Sequence, residues 1–169
     1  RAVGIDITHI DSHMFSLFHP RLVDVYVDLA LEINVPPFFL RSPVPEFHND
    51  SISPAAEADL LSRVAEWEER GLPLLDDAMM MPLNNAVDRA GQLRDKLAAL
   101  KPGITYLVLH PTKDSPELRE AVREEDWLCR VADYETFLDT AVRDAVRASG
   151  VHVLGYRALR DLMPGRGGA

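Results

Sequence analysis

The sequence predicts an α/β protein with parallel strands and flanking helices. Three observations lead there: apolar runs of strand length, helical stripes between them, and histidines at two of the run ends. The first run, Ala2 to Ile7, leads into Thr8-His9-Ile10-Asp11-Ser12-His13, and the second, Ile104 to Leu109, leads into His110-Pro111. If the hexad is extended, alternation places His9, Asp11 and His13 on one face and Thr8, Ile10 and Ser12 on the other. Two imidazoles and a carboxylate on one face are the ligand chemistry of a divalent metal site. They equally suit an acid/base site in which a carboxylate orients a histidine. A hydrophilic strand end facing water is the plain alternative.

After the hexad, Pro20 suits the first turn of a helix, where its missing N–H costs nothing. From Leu22 to Ile33 the polar residues Asp24, Asp28 and Glu32 recur every four positions, with Arg21 extending the stripe. Val23, Tyr26, Val27, Leu29, Ala30 and Ile33 cover the rest, which predicts a narrow wet edge and a wide buried face. Asn34 with Pro36-Pro37 ends this helix, and Phe38-Phe39-Leu40 reads as a short buried strand ending at Arg41. Strand, helix, strand is the parallel α/β unit.

Pro43, Pro45, His48, Asn49 and Asp50 mark a loop from Ser42 to Ser53. Ser53-Pro54 then supplies an N-cap and an N1 proline for a helix with Leu60, Leu61, Val64 and Trp67 at helical spacing, closed by Gly71. Leu72 to Leu75 is expected to be a strand ended by Asp76-Asp77, a pair that resembles catalytic carboxylates. Neighbours on a strand face opposite ways, so a polar strand end or helix cap is the better reading. Met79-Met80-Met81 is packing material rather than a copper site, with no histidine or cysteine nearby to complete soft ligation.

Val87, Ala90, Leu93, Leu97 and Leu100 form another helical stripe, stopped by Pro102-Gly103. Ile104 to Leu109 predicts a strand covered on both faces. Residues at the C-terminal ends of parallel strands face the ligand crevice, so His110 and the hexad face are expected to meet at one rim. A loop and short helix follow from Thr112 to Val122. Asp139 can cap a helix to Ser149, Val151 to Leu154 is expected as a last strand, and Ala158 to Leu162 as a short helix. One α/β domain is expected over residues 1–162, with a flexible tail over 163–169.

The 169 residues, 47% of them hydrophobic, suffice for one domain with a sizeable core. A net charge of −9 speaks against nucleic acid or an anionic membrane as partner, since both need a basic face. No apolar run approaches the roughly 20 residues that span a bilayer. The single cysteine, Cys129, fits a reducing, cytoplasmic setting and reads as a helix residue rather than a catalytic thiol.

Thr8-His9-Ile10-Asp11-Ser12-His13-Met14, then His19-Pro20, a helix and Val35-Pro36-Pro37-Phe38-Phe39-Leu40-Arg41 resemble the metal-binding segment of the YdjC-like carbohydrate deacetylases (ChbG/HpnK type). Gly103 to Pro111, Arg130 to Glu135 and Gly150 to Arg157 resemble later parts of that family in the same order. Two departures stand out. Met14-Phe15-Ser16-Leu17-Phe18 replaces further histidines, suggesting a more apolar cleft wall. The family's opening strand, with its Asn-Ala-Asp-Asp-Phe-Gly element and a further metal-binding histidine, has no counterpart, so the chain is read as the C-terminal portion of such an enzyme.

The resemblance implies part of a deformed (β/α) barrel of the polysaccharide-deacetylase-like type. It also implies hydrolysis of an N-acetyl group on a sugar or oligosaccharide with a divalent metal ion, Mg or Zn. It makes His13 the metal ligand, His110 the general acid and Asp11 its companion in the catalytic set. His9 and Arg41 would support these groups or contact the substrate. The remaining ligands and the base would lie in the segment without a counterpart, and a homodimer is an allowed assembly. The competing readings are a non-catalytic carbohydrate-binding or relic domain, and an unrelated barrel-type metal hydrolase.

Overall fold

The computed structural model describes residues 4–42 and 53–165, apart from the side chain of Glu57. The expected loop at Pro43, Pro45, His48, Asn49 and Asp50 lies outside these residues, as do Ala2 and Val3. The chain divides into two compact units: residues 1–77 with 154–169, and residues 78–153.

In the first unit the chain runs extended to Ile10 and tightens into a 3-10 turn, His13–Phe18, before helix α1, Val23–Ile33. Asn34 ends α1 in the left-handed conformation at φ 54°, returning its N–H to Ala30 O and Leu31 O. Immediately beyond, Pro37 pairs in parallel with Ile10, and Leu40 with Leu75. The bonds are Ile10 N–H to Pro36 O at 3.1 Å, Phe38 N–H to Ile10 O at 2.8 Å, Leu75 N–H to Phe39 O at 3.0 Å and Arg41 N–H to Leu75 O at 2.8 Å. Three extended segments therefore lie side by side, with α1 as the crossover between the first two. The parallel strand–helix–strand reading holds here as single rungs rather than long ladders.

Helix α2, Pro54–Glu69, starts as its sequence suggests, with Ser53 Oγ accepting from Ala56 N–H and Pro54 in the first turn. Val23, Tyr26, Val27, Phe39, Val64, Trp67, Leu72 and Leu74 form the core of this unit. Phe39 and Trp67 meet edge to face at 5.2 Å, a geometry worth about 0.5–1.5 kcal/mol beyond area burial. The wet edge of α1 is wider than the polar stripe implied: Val25 is 69% and Leu29 45% exposed. A polar stripe bounds what faces water, but apolar positions beside it are buried only where another element covers them.

The second unit contains most of β1, Asp77–Met80, then α3, Arg89–Ala98, and β2, Thr105–Val108. β1 and β2 form a parallel pair joined through α3, and Met81 N–H continues the ladder to Val108 O at 3.1 Å. The helices α4, Pro116–Ala121, α5, Glu124–Leu138, and α6, Thr140–Ala148, complete the unit. Ser115 Oγ caps α4 and Asp139 Oδ1 caps α6 through Ala141 N–H at 2.8 Å. Cys129 is 1% exposed, so its thiol is packing.

Several boundaries differ from the sequence reading. The first ladder strand is Asp77–Met80, not Leu72–Leu75, whose leucines at 72, 74 and 75 are buried with only Leu75 making a bridge. Ile104 to Leu109 is half-buried rather than covered on both faces. Val151 to Leu154 forms no strand, and Val153 is 80% exposed. The last helix, α7, is Tyr156–Arg160 in the first unit, and Met163, at the start of the expected tail, is buried.

Candidate functional site

The hexad is anchored from below by Tyr26. Its hydroxyl donates to Ile10 O at 2.9 Å and lies 3.1 Å from Phe38 O, tying the hexad backbone to the neighbouring extended segment. Burial raises the Tyr26 phenol above its ordinary range, and the nearby Asp11 charge adds to the shift, so it remains a hydroxyl donor at any physiological pH. Ser12, 4% exposed, ties down the following turn: its Oγ accepts from Leu17 N–H at 2.8 Å, and its carbonyl accepts from Phe15 N–H at 3.0 Å.

This turn breaks the alternation expected of the hexad. Ser12 is extended, but His13 opens the 3-10 turn, and Met14 and Phe15 follow with φ at 56° each. A left-handed non-glycine residue costs roughly 1–2 kcal/mol, and two in succession beside a candidate ligand are strain of the kind found at functional sites. Met14 is 80% exposed, while Phe15 packs its ring on Phe18 and Phe38 at 5.6 and 5.8 Å. His13 and Asp11 are both exposed, and Asp11 Oδ1 accepts from Ser12 N–H at 2.6 Å.

His9 is set differently. Its ring lies flat on Tyr156, with centroids 3.9 Å apart and planes 5° from parallel, and Thr8 Oγ1 sits 3.0 Å from its Nδ1. Burial lowers the His9 pKa, and the Asp11 charge pulls weakly the other way. The folded state therefore resists protonating His9, whereas the unfolded chain takes the proton near pH 6.5. Stability from this group is present above that pH and is lost as pH falls below it toward the folded value. Denaturant midpoints measured between pH 7.5 and 5.5 should fall with pH, and the slope should flatten in His9→Gln. An unchanged slope in that variant would assign the effect to other groups.

Arg41, expected to meet substrate or a catalytic carboxylate, is engaged by Glu68 of α2 and by Asp76. Its observed work is to fasten the end of the Phe38-Phe39-Leu40 segment to α2 and to the chain entering β1. Asp76 is accordingly an ion-pair partner, in keeping with the polar-strand-end reading of Asp76-Asp77.

His110 belongs to the second unit, two residues beyond β2. Its N–H reaches Asp133 Oδ2 at 3.2 Å, and the next turn is held by Thr112 N–H to Arg130 O at 3.1 Å. Asp133 is wholly buried and takes Arg89 Nε at 2.9 Å on its other oxygen. Arg89 Nη1 in turn serves Pro82 O, Asn85 O and Gln92 Oε1. One buried ion pair thus joins α3, α5 and the segment carrying His110.

Among the described residues, no three His, Cys, Asp or Glu side chains come together in a way that could hold a metal ion. The expected convergence of His9, Asp11 and His13 is therefore not realised as a ligand set. His9 lies flat on Tyr156 with Thr8 Oγ1 at its Nδ1, and the turn opening at His13 ends the alternating pattern. These residues do not by themselves fit a metal, which in catalytic sites usually takes three protein ligands. Sequence reasoning passed over Tyr26, Ser12, Tyr156 and the Arg89–Asp133 pair. Only Tyr26 carried a local signal, as an aromatic residue on the buried face of a helix following the hexad.

An α/β scaffold with histidines after its extended segments is the class these elements define. Residues 1–148 match the family model described as YdjC-like protein, and the chain belongs to that family. It is 31% identical over 157 residues to a carbohydrate deacetylase of Thermus thermophilus, covering 92% of this chain and 54% of that protein. Its fold is similar to that of an Enterococcus faecalis V583 protein described as a candidate cellobiose-phosphate cleavage protein. There the TM-score is 0.63 at 19% identity, over 94% of this chain and 55% of the other. The chain spans about half the length of these relatives. Among the described residues no helix is long and apolar enough to cross a membrane.

Proposed function

We propose that this protein acts as a carbohydrate deacetylase that hydrolyses an N-acetyl group from an amino sugar or N-acetylated oligosaccharide, using a deformed (β/α) barrel and a divalent ion. The observation that carries the proposal is the 31% identity to the Thermus thermophilus deacetylase over 92% of the chain. In this reading His13 contributes one metal ligand, with the others outside the described residues. The reaction adds water to the acetamide carbonyl, breaks the C–N bond and releases acetate and a free amine. His110 protonates the departing nitrogen, which is a better leaving group as the neutral amine. Asp11, exposed beside the strained turn, belongs to the catalytic set as a group that orients the reactants, and His9 positions the substrate.

The direct test follows acetate release from N-acetylated chito-oligosaccharides by the whole protein, with magnesium or zinc added and with chelator. Metal-dependent release of one acetate per amine formed is expected. No release from any acetylated sugar, with a saturable sugar-binding isotherm instead, would favour the carbohydrate-binding reading.

A further inference from the structure

Helix α7 lies far from the hexad in sequence, yet three of its residues converge on the segment that carries it. Tyr156 stacks on His9 at 3.9 Å, Arg157 Nε donates to Asp6 Oδ2 at 3.0 Å, and Arg160 Nη1 donates to Asp6 Oδ1 at 2.5 Å and Ile7 O at 3.0 Å. The two arginines hold the Asp6 carboxyl below its ordinary pKa, so the clamp persists through the neutral range. Arg160 is only 15% exposed along its side chain, and Leu159 and Met163 are buried, at 5% and 1% exposure. α7 is therefore seated on the unit rather than hanging from it.

A five-residue helix needs little of this to fold back onto a core. Leu159 and Met163 are apolar anchors, whereas the stack of Tyr156 and the ion pairs of Arg157 and Arg160 described above reach residues 6, 7 and 9. Near-parallel rings at this distance leave the imidazole no freedom about χ2, and Thr8 Oγ1 at Nδ1 fixes which edge faces outward.

We propose that Tyr156 is a positioning residue for His9, and that α7 is the brace holding the entry to the hexad in register. The consequence for catalysis rests on the deacetylase reading, but the positioning itself does not. A 1 Å misplacement of a group at a reacting centre can cost about 100-fold in rate, so Tyr156→Leu is expected to lower kcat/KM by roughly tenfold to 100-fold.

The test has a spectroscopic arm and a kinetic arm, both on the whole protein. In histidine-labelled protein at pH 8, the His9 ring protons should be shifted upfield by the stacked phenol, and His9→Gln assigns them. The shift should persist in Tyr156→Phe, deepen in Tyr156→Trp because the indole current is larger, and vanish in Tyr156→Leu. In the kinetic arm Tyr156→Phe should retain activity, and Tyr156→Leu should do no further harm once His9 is glutamine, since partners of one unit are not additive. A His9 signal indifferent to Leu or Trp at 156 would overturn the proposal. Equal losses from Tyr156→Leu with and without His9 would reduce Tyr156 to a packing role and overturn it too. If Tyr156→Leu does not fold, the phenylalanine and tryptophan variants still decide. A protein with no deacetylase activity but the expected shifts would sink the proposed reaction while leaving the positioning intact.

Discussion

Replacing Asp133 by alanine is expected to destabilise the second unit by about 3–5 kcal/mol, the usual cost of removing one partner from a buried ion pair. The Arg89 and Asp133 side chains are 1% and 0% exposed, so the guanidinium would be left without its counter-ion inside the protein. The loss is compounded because Asp133 also accepts the His110 N–H, a half-buried donor that would lose this acceptor. Asp133→Asn should cost less, since an amide oxygen can still accept one of these bonds. Removing both charges together, as Arg89→Met with Asp133→Leu, should recover much of the stability, because apolar replacement of a buried pair is often neutral or favourable. Urea unfolding followed by Trp127 fluorescence in a Trp67→Phe background reports on this unit, since Trp67 lies in the first. An Asp133→Ala midpoint close to the parent's would mean that the pair is not closed in solution.

What was legible in the sequence was local chemistry. Asn34, Ser53-Pro54 and Asp139 each announce a helix boundary within a few residues of it, and each makes the expected cap. The crossover from Ile10 through α1 to Pro37 was legible too, because an apolar face and a proline stop suffice to specify it. The parallel α/β class follows from these pieces. Ile104 to Leu109 also became β2, but other assignments that depend on a distant partner failed. Leu72 to Leu75 and Asp77 to Met80 are both plausible strands in isolation, and only pairing with β2 selects the second. Val151 to Leu154 has strand composition but no ladder partner among the described residues.

The candidate site divides in the same way. The residue types were visible, since a His-x-Asp-x-His pattern needs no fold to be noticed, and the family resemblance drawn from it holds. The arrangement was not visible. Alternation assumes extended backbone, and two left-handed residues after His13 end it for reasons that lie in the packing of Phe15 against Phe18 and Phe38. The His9–Tyr156 stack joins positions separated by almost the whole chain, and Arg89–Asp133 joins two helices well apart in sequence. Long-range pairing of a few polar groups leaves no periodic trace.

On the deacetylase reading, His13 and His110, to which it gives the metal and acid roles, should fail differently when each is removed. His13→Ala is expected to lower metal affinity and rate together, because a ligand's removal acts on both. His110→Ala should leave metal binding unchanged and lower kcat by about 10²–10⁴-fold, the usual worth of a positioned general acid. If the acid acts only as the C–N bond breaks, kcat and kcat/KM should drop in parallel with KM steady. The Asp133 carboxylate touches the His110 backbone rather than replacing its chemistry, so Asp133→Asn should reduce turnover by less than His110→Ala does. Acetate release paired with calorimetric metal titration separates these cases. Near-normal turnover in His110→Ala would exclude it as the acid, and tight stoichiometric metal binding in His13→Ala would place the ion on other ligands.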